Sequence, residues 1–315
     1  MIDPNQLRLP ELKSWKDPQI QSQIYTSLFN STNLDYEPSE RYKSRVLKKV
    51  INALENAIDD PEEDPLPSPN VAAQQKSYVT YTSPLSTLGS VEVTTLEAPS
   101  LLASSGTTGF RTWEAALHLG SFFCSQMGQD YVAGKSVLEL GAGTGFLSML
   151  CAKHLGVKHM LATDGSREVV NDMRANVQLN FPSPEKELVN IAILQWGHAL
   201  LGGPADVAST KASLDLVIGA DVTYDVESVP ALVATLRDLF EMYNQAKVII
   251  SATVRNEDTL ACFIQACNAN EFRHRTLAFQ LPHFAEQTGF FIIKSTRIEI
   301  LEITSPEKPR DPFGF

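Results

Sequence analysis

A carboxylate two residues ahead of three alternating glycines is the densest chemistry in this 315-residue chain. In Val137–Leu150, VLELGAGTGFLSML, Val137, Leu138 and Leu140 make a short apolar strand and Gly141, Ala142, Gly143, Thr144 and Gly145 a tight turn. Phe146, Leu147 and Leu150 then recur at helical spacing. Glycine removes the Cβ atoms that keep a ligand off the backbone, so the turn reads as a cradle. Its spacing is G-x-G-x-G, with Phe146 where the dinucleotide-binding fingerprint requires a third glycine. Glu139 at the strand end repels a pyrophosphate and attracts a cationic amino group, directly or through water. A plain strand-to-helix loop is the other use of the same residues.

Three further strand ends carry suitable side chains. Asp164 closes LATD, nineteen residues beyond Gly145, where an acid accepts both hydroxyls of a ribose. The same residue, followed by Gly165 and Ser166, also fits a helix cap. Trp196 and Gly197 follow the third strand, where an indole offers an apolar wall to a nucleobase or simply fills core. Asp221-Val222-Thr223-Tyr224 follows the apolar strand LDLVIGA. In an open α/β sheet, ligands sit outside the carboxyl ends of the strands, so Asp221 and Tyr224 should face the cleft. A carboxylate and a phenol suit an alkyl-ammonium: one attracts the charge, the other gives a hydrogen bond and a ring for the stem. Asp221 equally fits a residue capping its own loop.

Other signals carry no chemistry. Gly128–Ser136, GQDYVAGKS, has five residues between its glycines and precedes a strand, whereas a phosphate-binding loop has four and follows one. The six histidines show no metal-ligand spacing, and no metal is expected. Cys124, Cys151, Cys262 and Cys267 form no C-x-x-C pair and read as small core residues of a reduced compartment. Asn176 and Asn180, four apart on one helix, read as helix-end hydrogen-bonding residues.

Positioning these groups requires alternating strands and helices. From about residue 110 the order is helix Trp113–Met127, strand Ser136–Leu140, helix Phe146–His154, strand His159–Thr163, helix Ser166–Leu179 and strand Val189–Gln195. Strand Leu214–Ala220, helix Val229–Tyr243, strand Lys247–Thr253 and helix Asp258–Asn270 follow. Phe272–Phe279 and Phe290–Ile303 have no helix-length segment between them and can pair antiparallel. Upstream, Ser39–Ile58 is an amphipathic helix capped by Ser39, with Tyr42, Val46, Leu47, Val50, Ile51, Leu54 and Ile58 on one stripe, and Gln19–Phe29 is another helix. Asp59–Asn70, acidic and proline-rich, reads as an exposed hinge, and Ser77–Ser83 with Ser90–Leu96 as a hairpin.

Hydrophobic residues make up 43% and charged residues 20%, ordinary globular usage, and no apolar run nears the roughly 18 residues of a membrane span. The start of the chain lacks the marks of a secretory or mitochondrial leader, so a cytoplasmic location is expected. A net charge of −11 argues against tight binding of nucleic-acid backbones and suits a lysine-bearing protein substrate.

Acid-x-G-x-G-x-G, from Glu139 to Gly145, resembles the first motif of the seven-strand methyltransferases that bind S-adenosylmethionine. With Trp113-Glu114-Ala115-Ala116 upstream, Asp164, Trp196-Gly197 and Asp221-x-x-Tyr224, residues 106–303 resemble the non-histone protein-lysine methyltransferases of that superfamily. The string GTTGFRTWEAAL and the long extension before it are most similar to the eukaryotic elongation factor 2 lysine methyltransferases. The resemblance implies a doubly wound, mostly parallel seven-stranded Rossmann-like α/β sheet with an antiparallel last strand, over residues 106–315. Residues 1–105 are then a helical and hairpin extension that helps select the substrate. It implies S-adenosyl-L-methionine as cofactor, held by Trp113, Glu139, Gly141, Ala142, Gly143, Asp164, Trp196 and Ala220. Asp221 and Tyr224 would serve the target lysine, and elongation factor 2 would be the protein partner. A small-molecule methyltransferase would share the glycine turn and Asp164 without needing Trp113 and Asp221-x-x-Tyr224, and a catalytically silent binding module would keep the fold alone.

Overall fold

The computed structural model describes residues 40–56, 75–85, 89–99, 108–182, 189–198, 213–282 and 297–306, with scattered positions in 19–26 and 286–292. The chain divides into two compact units, residues 1–71 and 72–315. In the first, helix α1 (Glu40–Asn56) buries Val46 and Val50, while Leu47 and Ile51, on the same expected stripe, stand exposed. Ser39, Ile58, the Asp59–Asn70 hinge and most of the Gln19–Phe29 helix lie outside the described residues.

The second unit holds a hairpin, β1 (Ser77–Leu85) with β2 (Gly89–Glu97), and a seven-stranded sheet. Helices α2 (Glu114–Cys124) and α3 (Gln126–Val132) precede strand β3 (Ser136–Leu140). Helix α4 (Phe146–His154), β4 (His159–Asp164), α5 (Arg167–Asn180) and β5 (Val189–Ile193) follow. Then come β6 (Leu216–Ala220), α6 (Val229–Met242), β7 (Lys247–Thr253), α7 (Glu257–Ala269), β8 (Arg273–Leu277) and β9 (Ile298–Thr304).

The sheet order is β5-β4-β3-β6-β7-β9-β8. Each helical crossover returns the chain to one end of the sheet, so β3 to β7 pair parallel. The final strand alone runs against its neighbours: β9 enters between β7 and β8 and is antiparallel to both. All five residues of β3 are buried, as a strand covered on both faces requires. Val137 points into one core half, and Leu138 and Leu140 into the other, which α6 and α7 cover.

Two expectations are corrected. The helix expected over Trp113–Met127 breaks at Ser125, whose backbone is extended and whose Oγ accepts the Gly128 N–H at 3.2 Å, starting α3 afresh. The last strand begins at Ile298, not near Phe290. Phe290 instead packs edge-on against Phe146, ring centroids 5.1 Å apart, filling the core beside the sheet. The hairpin falls within the sheet unit. Every second residue of β2 from Val91 to Glu97 is buried, and Tyr81 of β1 stacks edge-on against Phe146 at 5.0 Å. Asn180 on α5 completes the attachment: its Oδ1 accepts the Thr94 N–H at 3.0 Å and its Nδ2 donates to Thr94 O at 2.6 Å, as a neighbouring strand would.

Candidate active site

Strand order reverses beside β3, whose neighbours are β4 and β6, and this switch point is where an open α/β sheet leaves a crevice. A cavity of about 780 Å³ opens there, and all ten residues singled out in the sequence line it: Trp113, Glu139, Gly141, Ala142, Gly143, Asp164, Trp196, Ala220, Asp221 and Tyr224.

The turn after β3 forms the floor. Gly141 and Gly143 have φ of 64° and 55°, a region closed to most side chains. A Cβ on Gly141 would come within 2.9 Å of Val222 and 3.4 Å of Trp196, and one on Gly143 within 3.3 Å of Gly109 O. The Ala142 N–H donates to Thr163 O at 2.8 Å, which ties the turn to the end of β4. Asp164 lines the cavity and also makes the local bonds expected of a residue before a helix. Its Oδ2 accepts the Gly143 N–H at 3.1 Å and its Oδ1 the Ser166 N–H at 3.0 Å. Ser166 itself caps α5 by accepting the Val169 N–H at 3.4 Å. A carboxylate has about four acceptor positions, so these bonds leave it able to accept more. Burial raises the Asp164 carboxyl above its usual range, opposed by the amides of Ser166, Gly143 and Gly165.

Glu139 reaches the cavity from β3 and is buried, with Oε2 accepting the Ser148 hydroxyl. Desolvation pushes its carboxyl up to about 8; the Ser148 hydrogen bonds pull the other way, and the charge of Asp164 adds to the rise. A cation brought beside a buried acid held this way would restore its ionised form. Trp196 lies against the turn with its Gly197 neighbour fixed by Thr235, the Gly197 N–H donating to Thr235 Oγ1 at 2.9 Å.

The opposite wall is built around Asp221, whose backbone sits at φ 54°. Such a conformation is uncommon outside glycine, asparagine and aspartate and marks a locally constrained position. Its carboxylate is already engaged. Oδ1 accepts the Thr253 N–H at 2.9 Å, and Oδ2 accepts the Thr253 hydroxyl at 3.1 Å and Arg255 Nη2 at 3.0 Å. Asp221 therefore does not meet an incoming ammonium as a bare charge. Arg255 also lies over the Trp113 ring at 5.1 Å, and Arg111 over the same ring at 4.2 Å. The Trp113 indole N–H donates to Thr108 O at 2.9 Å, fixing the ring. Tyr224 stands at the mouth, 51% exposed, an apolar ring available to a partner. Arg111 and Arg255 were missed by reading the sequence. Arg255 follows the end of β7, where the strand-end rule that singles out Asp221 also applies.

A mostly parallel seven-stranded sheet with a glycine turn, Glu139 and Asp164 around a switch-point cavity has the architecture of the Rossmann-like transferases. Within it, residues 102–269 match the family model described as "Lysine methyltransferase". The chain belongs to that family. It is 41% identical to protein-lysine N-methyltransferase EFM3 of Chaetomium thermophilum, over 94% of this chain and 93% of that one. EFM3 of Saccharomyces cerevisiae is 37% identical over 56% of this chain and 54% of its own. Human protein-lysine N-methyltransferase EEF2KMT is 32% identical over 54% of this chain and 52% of its own. Against the yeast and human relatives, the match therefore spans about half the length of each.

Proposed function

We propose that this enzyme transfers a methyl group from S-adenosyl-L-methionine to a lysine of elongation factor 2. The observation that carries the reading is a cavity in which a glycine cradle, Glu139 and Asp164 face a wall of Trp113, Asp221, Arg255 and Tyr224. A protein substrate is supported by the family, and elongation factor 2 by the likeness of GTTGFRTWEAAL to the lysine methyltransferases of that factor. A cytoplasmic location is part of this proposal.

The residues fit the cofactor on the chemistry of their donors and on the space glycine leaves. Glu139 would hold the amino group, the spare acceptor positions of Asp164 the ribose hydroxyls, and Trp196 the face of the base, with Ala142 and Ala220 too small to crowd it. When bound, the cofactor supplies a methyl group already activated on a sulfonium sulfur. The chain's remaining task is to bring a neutral amine into line, which is positioning more than acid–base chemistry. A lysine enters as an ammonium with a reference pKa of about 10.4. The guanidinium groups of Arg255 and Arg111 disfavour another cation beside them, so the amine loses its proton to water as it enters. Asp221, with three donors on its oxygens, orients the amine and holds Arg255 in place. Tyr224 supports the lysine stem through its ring and hydroxyl.

The test is to incubate the enzyme with labelled S-adenosylmethionine and a lysate from cells lacking it, then map the labelled polypeptide. Label on a lysine of elongation factor 2 is expected. Label in small molecules alone would favour a small-molecule methyltransferase, and cofactor binding with no transfer would favour a silent binding module.

A further inference from the structure

Glu97, the last residue of β2, is 2% exposed and does not line the cavity, yet its carboxylate gathers donors from three parts of the chain. Oε1 accepts the Tyr81 hydroxyl at 2.6 Å. Oε2 accepts the Thr95 hydroxyl at 3.1 Å, the Thr112 N–H at 3.0 Å and the Thr112 hydroxyl at 2.6 Å. Thr112 has one hydroxyl proton and spends it on Glu97. Its oxygen must therefore accept from Thr144, whose hydroxyl lies 2.8 Å away in the middle of the glycine turn. The bonds thus run one way, from Thr144 to Thr112 to Glu97. Thr144 is also held through its carbonyl, which accepts Asn176 Nδ2 at 3.1 Å, while Asn176 Oδ1 accepts the Leu96 N–H of β2 at 2.7 Å.

Thr112 and Thr144 both line the cavity, on the Trp113 wall and on the floor. One buried carboxylate on the hairpin therefore sets the distance between these two walls. We infer that Glu97 is a positioning residue for the cofactor, and that the hairpin serves the cofactor cleft instead of selecting the protein substrate. The inference rests on the cofactor reading above. Every bond to Glu97 is donated to it, three of them on Oε2: Glu97→Gln turns these charge-assisted bonds into neutral ones, with the amide NH2 left to the Tyr81 hydroxyl, and weakens the relay at its terminus. The turn then loses its fixed spacing from Trp113 without any change in the groups that would touch the ligand.

The experiment compares S-adenosylmethionine affinity by calorimetry, and melting temperature without cofactor, in the parent, Glu97→Gln, Thr112→Val, Thr112→Ser and Asn180→Ala. Asn180 clasps the hairpin at Thr94 and does not join the relay, so it reports what loosening the hairpin costs by itself. Glu97→Gln should weaken cofactor binding about tenfold, the scale of a lost charge-assisted hydrogen bond, with KM for the protein substrate within about twofold of parent. Thr112→Val should weaken it several-fold and Thr112→Ser, which restores the hydroxyl, should recover the parental value. Asn180→Ala should lower the melting temperature with affinity kept within about twofold. Parental affinity in Glu97→Gln overturns the inference, as does an Asn180→Ala that loses as much affinity for the same loss of melting temperature. Should Glu97→Gln not fold, equal affinities of Thr112→Val and Thr112→Ser overturn it. A parent that does not bind S-adenosylmethionine refutes the cofactor reading itself.

Discussion

At the scale of single residues, Glu139 makes the sharpest pH prediction. Its folded carboxyl titrates at about 8, above the ordinary value of 4.5, because burial penalises the charge. A raised acid favours the fold below its unfolded pKa and loses that contribution as pH rises through the folded one. Urea midpoints of the cofactor-free protein should therefore fall between about pH 4.5 and 8, and Glu139→Gln should flatten the fall. A cationic amino group would ionise Glu139, so binding near pH 7 should release a proton from the parent and none from Glu139→Gln. Calorimetry in buffers of different ionisation enthalpy reads this directly. On the other wall, Asp221→Asn keeps the shape but leaves Arg255 without its counter-charge. Single-turnover transfer at saturating cofactor should fall by about a hundredfold or more, and by less in Tyr224→Phe, with cofactor affinity nearly unchanged in both. Much of this chemistry is legible in the sequence because a strand end and the turn after it are neighbours in the chain. Asp164 and Asp221 are found by position alone. Arg255 is not, since nothing local says that its guanidinium meets a carboxylate 34 residues earlier.

Among the elements, the glycine turn admits the simplest perturbation. Gly143→Val puts a β-branched side chain at φ 55° with its Cβ 3.3 Å from Gly109 O, and should abolish cofactor binding in a protein that still folds, as judged by circular dichroism and calorimetry. The alternating strands and helices from β3 to α7 are readable because period and punctuation are local signals. The attachment of the hairpin is not. Asn176 and Asn180 present the four-residue spacing of one helix face, but their partners Leu96 and Thr94 lie 80 and 86 residues upstream. Glu97 falls just past the expected Ser90–Leu96 strand, and nothing local marks it until Thr112 folds onto it. Replacing Asn176 by alanine frees the Leu96 N–H and the Thr144 carbonyl together, and should cost roughly 1–3 kcal/mol in chemical denaturation.

For the whole molecule, the chain divides into two compact units at residue 71. We propose that residues 1–71 contribute to choosing the protein substrate, while everything that lines the cavity lies in residues 72–315. Deleting the first 71 residues should lower the rate of elongation factor 2 methylation at least tenfold and leave cofactor affinity within about twofold, read by labelled-methyl transfer and calorimetry. Equal losses in both would refute the separation.

The position of β9 also bears on how the protein is made. β9 leaves the ribosome after β7 and β8 yet lies between them in the finished sheet, pairing with β7 across Lys247–Thr253 and with β8 across Arg273–Leu277. Glu302 at its centre takes Arg275, Tyr131 and Lys247 together, joining three elements synthesised earlier. Until Ile298–Thr304 emerges, β7 presents an open edge and β8 has no strand to join, the condition in which chains pair with one another. A message cut short only a few codons before the end of that strand would thus yield an aggregating chain in which every residue lining the cavity had already been translated.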